Sequence, residues 1–113
     1  YSLLCVWKLK NMKLTHENYL FGKKVVDDTL DVDDSRIEFH IRDSVKSFIG
    51  DIDTSNMDNR NYIFQFLQHI SSLYLNYCLN GNMYFLSEDK IEKCMKSREV
   101  IVKIIKDFTE SRF

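Results

Sequence analysis

Between Arg60 and Glu88 the chain has no Asp, Glu, Lys or Arg, although 29% of its residues are charged. Most of that interval, Asn59 to Gly81 (NRNYIFQFLQHISSLYLNYCLNG), has the period of one long helix. So long an uncharged helix is a membrane span, a core or a contact surface. Wound at about 100° per residue, it gathers Tyr62, Ile63, Phe66, Leu67, Ile70, Leu73, Tyr74, Tyr77 and Cys78 on one wide face. Phe64 and Leu75 extend that arc. The rest is a narrow stripe of Gln65, Gln68, His69, Ser72 and Asn76, broken by Leu79. The stripe argues against a span, which needs about 20 mostly apolar residues and would expose these amides and the imidazole to lipid. A wide apolar face predicts instead a central helix, about 58–80, wrapped by others.

The chain has 113 residues, the size of one domain with a modest core. It has no proline and three glycines, a poverty of chain breakers that long helices tolerate and a many-turned β fold does not. The expectation is therefore an all-α bundle of four or five helices. Residues 1–113 would form one helical domain, and a start at Tyr1 without Met fits a piece of a larger protein.

The flanking segments follow the same period. Leu3 to Met12 is apolar nearly all round and short enough to be helix or strand. Thr15 is placed to cap a helix with Leu14, Tyr19, Phe21, Val25, Val26 and Leu30 on one face, where Gly22 would let a neighbour approach. Asp33 or Asp34 would cap the next, near 35–50, with Ile37, Ile41, Val45, Phe48 and Ile52 aligned and Gly50 as its stop. Phe39 points away from that stripe. After Asn80-Gly81, a good left-handed terminator, Ser87 caps the last helix. Its main apolar face is read as Ile91, Met95, Ile101, Val102, Ile105 and Phe108, with Cys94; Val100 and Ile104 form a second, narrower stripe.

Charge narrows the function classes. From residue 27 to 60 there are ten acids against four bases, the opposite of the basic stripe that nucleic-acid binding requires. The three cysteines Cys5, Cys78 and Cys94 form no CxxC pair, which predicts free thiols in a reducing, intracellular compartment. Asp31, Asp33 and Ser35 imitate the start of a calcium loop, but Arg36 and Arg42 stand where Gly and Glu are needed. Asp51, Asp53 and Ser55 fail likewise at Asn56 and Tyr62. His69 has no ligand or acid a helical turn away, so it reads as a hydrogen-bonded structural histidine. His40 and Asp43 pair on one helix face without a nucleophile. No catalytic set, metal site, cofactor motif or small-molecule site emerges.

The general plan, an uncharged helix among amphipathic ones, resembles that of the Bcl-2-like and cyclin-like interaction folds. The NWGR-type signature of the former is absent, so the likeness is one of architecture. The expected role is a non-enzymatic protein–protein interaction domain in an intracellular assembly, binding a partner helix, a peptide or a second subunit. Its contact residues would come from Phe39, Gln65, His69, Ser72, Val100 and Ile104. The alternative is a secreted four-helix signalling protein of the cytokine kind.

Overall fold

Thr15, Asn56 and Ser87 set the starts of three helices in the computed structural model of the chain, which describes residues 14–111. Each side-chain oxygen accepts from a backbone N–H of the first turn: Asn18 for Thr15, Asp58 and Asn59 for Asn56, Lys90 for Ser87. The helices are α1 (His16–Thr29), α2 (Ile37–Ile49), α3 (Met57–Leu79) and α4 (Glu88–Thr109). There is no strand among the described residues, so RIEFHIR is helical despite its alternation. α2 starts two residues later than the sequence implies. Asp34–Arg36 form a tight 3-10 turn first, and Asp33 makes no side-chain cap. The helix-or-strand question over Leu3 to Met12 falls outside the described residues, as does Cys5.

Cross-helix contacts fix the directions. Asn18 donates to the Tyr62 hydroxyl near the starts of α1 and α3, and Tyr77 donates to Asp27 near their ends (2.7 Å), so the two run parallel. Phe21 stacks near Phe48 while His40 reaches Val25, so α1 and α2 are antiparallel. Arg42–Asp107 (3.1 Å) and Glu38–Lys103 (3.7 Å) align α2 with α4. Gly81 lies against Ile91, and Arg60 lies over Phe108, so α3 and α4 are antiparallel. Around the bundle the order is α1, α2, α4, α3. Short connections at 30–36, 50–56 and 80–87 make consecutive helices alternate in direction.

The core draws on all four helices. Val26, Ile41, Val45, Ile63, Phe66, Leu67, Ile70, Tyr74, Cys94, Ile101 and Ile104 are fully buried. Each large apolar side chain among them contributes on the order of 1.5–3 kcal/mol. Across the bundle Phe48 of α2 stacks on Phe66 of α3 with ring centroids 3.7 Å apart, and Phe21 lies 5.8 Å from Phe66. Two buried hydroxyls are satisfied in sequence. Thr29 donates its hydroxyl proton to the Val25 carbonyl (2.7 Å), so the Tyr74 hydroxyl 2.7 Å away is the donor to Thr29.

Two helix ends are held by cations from other helices. Lys93 donates to the carbonyls of Leu30 and Val32, just past α1. Arg60 donates to the Phe108 carbonyl at 3.0 Å near the end of α4. Both contacts place positive charge where carbonyls lack intrahelical partners.

Glycine acts in two ways. Gly50 stops α2 at φ +46, as its position implies. Gly22 and Gly81 are needed for space. A Cβ on Gly22 would stand 2.6 Å from the His69 ring, which is the close approach expected there. A Cβ on Gly81 would stand 2.5 Å from Ile91, so Gly81 closes α3 onto α4 and is not a left-handed terminator. The left-handed residue of that connection is Phe85, at φ 57 and 95% exposed.

Candidate interaction surface

The six residues singled out from sequence do not converge. Phe39 is 65% exposed on α2, beside a cavity of about 390 Å³ lined also by Asp31, Asp33, Arg36, His40 and Asp43. Ser72 is exposed, with Gln68 and Asn76, so that part of the polar stripe of α3 meets solvent. Gln65 is half-buried. His69 is half-buried and turned towards α1. Its Nε2 lies 3.1 Å from the Tyr19 carbonyl of α1, and its ring packs edge-on against Tyr19 with centroids 4.7 Å apart. Because the acceptor is a carbonyl, Nε2 carries the proton. His69 thus locks α1 to α3 over Gly22.

Val100 and Ile104 are also reassigned. Ile104 is fully buried and Val100 is half-buried against the core. Neither forms a second exposed stripe. Conversely, Met95 and Val102, read as core, are 55% and 46% exposed. The core side of α4 is Cys94, Ser97, Ile101, Ile104 and Phe108.

This rotation of α4 leaves an exposed, mostly apolar face between the two long helices. The partners of Lys93, Lys103 and Asp107 place one flank of α4 towards α1 and α2. Ile91, Met95, Arg98, Val102 and Ile105 recur at i, i+4, i+7, i+11 and i+14 on the other flank, beside α3. On α3, Tyr62 and His69 mark the flank towards α1. Phe64, Gln68, Ser71, Leu75 and Cys78 lie opposite, beside α4. Leu75 is 36% exposed, and Leu79 continues the apolar surface towards the connection. At the other end, Met57, Arg60, Asn61, Phe64, Phe108 and Thr109 border a cavity of about 290 Å³. Arg60, over the Phe108 ring, and Arg98 are the formal charges of this α3–α4 face. The sequence signal for it was the width of the arc on α4, which is more apolar surface than one core contact requires.

His40, Cys94 and two tyrosines are held within the fold. His40 Nε2 is 3.3 Å from the Val25 carbonyl instead of paired with Asp43. Cys94 is fully buried, and desolvation pushes its thiol from an ordinary 9.0 up to about 11. Burial likewise raises Tyr74 and Tyr77 above their ordinary 10.0, with the Asp27 carboxylate adding to the effect at Tyr77. Among the described residues no group of three His, Cys, Asp or Glu side chains could hold a metal ion. Among the described residues no helix is long and apolar enough to cross a membrane.

These raised values fix the sign of the pH response. The folded state holds protons that the unfolded chain would release, so their contribution is intact below pH about 9 and is lost as pH rises through 11. The midpoint of urea unfolding is therefore expected to be flat from pH 7 to 8.5 and to fall steadily above 9. In the same window Cys94 is expected to alkylate on the order of a hundredfold more slowly in the native chain than in the unfolded one. A midpoint that rises with pH, or equal alkylation rates, would contradict the buried placement of these groups.

No family model, curated protein or solved structure matches this chain.

Proposed function

We propose that this chain is a non-enzymatic protein–protein interaction domain of a larger intracellular assembly, and that it receives a partner on the α3–α4 face. The observation that carries this reading is the exposed flank itself. Leu75, Met95 and Val102 stand open to solvent along two packed helices, with Lys, Asp and Glu kept off the face. The centres of protein interfaces are depleted in Lys and Glu and enriched in Met, Arg and aromatic residues. A second support is negative. His69, which carried the uncharged stripe in the sequence reading, is used to hold α1, and Ile104 is core. The free thiols of Cys78 and Cys94 fit a reducing compartment. The signalling alternative has less support, because cytokine bundles run up-up-down-down with two long crossovers, whereas the helices here alternate through short connections.

Single charges on the face test this role. Leu75→Asp and Val102→Asp are expected to leave the helical signal and unfolding midpoint nearly unchanged. They are expected to abolish complexes of the protein seen by light scattering or by cross-linking. Complexes that survive both changes, yet are lost on Phe39→Asp, would move the contact to α2.

A further inference from the structure

Cys78 and Cys94 stand level with each other across the antiparallel α3–α4 pair. Gly81 lies against Ile91 at one end of that pair, and Phe64 borders the same cavity as Phe108 at the other. Gly81 and Phe64 are 17 residues apart, as are Ile91 and Phe108, so the two helices keep one register along their length. Three residues back from Gly81 is Cys78, and three residues on from Ile91 is Cys94. Both lie on the facing stripes, which repeat at spacings of three and four: Tyr74, Cys78 and Gly81 on α3, and Ile91, Cys94 and Arg98 on α4. Both thiols are free; Cys94 is fully buried, and Cys78 is half-buried against the core. Helix axes about 8–10 Å apart, with Cα atoms about 2.3 Å from each axis, bring facing residues within the about 4.4–6.8 Å that a disulfide spans between Cα atoms. The missing side chain of Gly81 draws the helices together one turn away. Burial pushes both thiols up; the Cys78 sulfur adds to this at Cys94, and Arg98 opposes it at Cys78. Cys94 and Arg98 thus both lie within electrostatic reach of Cys78.

We propose that Cys78 and Cys94 form a dithiol site that a low-molecular-weight disulfide of the glutathione type oxidises to an intramolecular disulfide, joining α3 to α4. Cys78, the more accessible sulfur, reacts first. As the thiolate it attacks one sulfur of the oxidant, and the expelled thiolate takes up a proton. The mixed disulfide then faces Cys94. Cys94 releases its proton to solvent and its sulfur attacks Cys78 Sγ, expelling the second small thiol, which is protonated in turn. One oxidant disulfide is consumed, two small thiols are released, and two protein thiols become one S–S bond. Burial shields Cys94 from the oxidant itself, whereas attack on a sulfur already held opposite needs no access from solvent. Excess small thiol reverses both steps, so the pair stays reduced until the oxidised pool rises. The closed loop fixes the 80–87 connection, which carries the exposed Met83 and Phe85, at both its ends.

Incubation of the reduced full chain with oxidised glutathione, followed by intact-mass measurement and peptide mapping without reductant, provides the test. The chain is expected to lose two hydrogen atoms in mass, to retain no glutathione, and to yield one linked pair of peptides, those of Cys78 and Cys94. The oxidised chain is expected to melt at least about 5 °C higher than the reduced one. Cys94→Ala should stop the reaction at one glutathione on Cys78, and Cys78→Ser should leave Cys94 unmodified while the chain is folded. Mapping of the unaltered chain reads the bond without relying on either substitution. A glutathione adduct that persists on Cys78 of the unaltered chain, a bond from either sulfur to Cys5, or two thiols that both stay unmodified would overturn the proposal. A Cys78–Cys94 bond that lowers the melting temperature would equally overturn it, because the two sulfurs would then not face each other in the native fold.

Discussion

Phe66→Ala is expected to cost about 3–5 kcal/mol of folding free energy, the range for removing a buried aromatic ring. Phe66 is fully buried, lies face to face with Phe48 at 3.7 Å, and touches Phe21 from α1. One ring therefore joins three helices, and its loss opens a cavity that none of them can close alone. Stabilities of small domains are about 5–15 kcal/mol, so the variant should sit close to its unfolding threshold. Urea unfolding should show the midpoint falling with the slope retained. Phe66→Leu, which keeps most of the volume, should lose less. A loss under 1 kcal/mol for Phe66→Ala would mean that the three-helix aromatic cluster is not formed.

Ile104→Asp and Val102→Asp should differ more than any other neighbouring pair of substitutions. Ile104 is fully buried between α4 and its neighbours, so a carboxylate there is an unpaired charge in the core, at a cost above about 4 kcal/mol. Val102 is 46% exposed and one turn from Arg98, so the same change there should shift stability by no more than about 0.5 kcal/mol. Circular dichroism and thermal melts of the two variants read this directly. The apolar pattern of the sequence alone implies the reverse ranking, with Val102 inside and Ile104 outside. Equal sensitivity, or a greater loss at Val102, would mean that α4 is rotated the other way about its axis.

That pair also marks where local pattern stops being informative. The length of α3, the caps at Thr15 and Ser87, and the stop at Gly50 depend on neighbours within a few residues, and all were legible. The close approach at Gly22 was legible too, because a missing side chain on an apolar face has few other uses. The rotation of α4 was not. Its apolar residues span both the core arc and the outer flank. Which half turns inward depends on α2, whose Arg42 and Glu38 draw Asp107 and Lys103 to its side. His69 was legible as a hydrogen-bonded histidine, but its acceptor lies 50 residues away in sequence, at Tyr19. The two exposed candidates that remain, Phe39 on α2 and the α3–α4 face, lie on different helices and can be separated by experiment.

A photo-activated cross-linking side chain placed at Val102 in one sample and at Phe39 in another, in the protein in its cell, tests the contact face most directly. Adducts to a single partner from position 102, lost when Leu75→Asp is added and absent from position 39, are the expected result. Adducts from position 39 with none from 102, or equal and unspecific labelling from both, would contradict the α3–α4 face as the site of recognition.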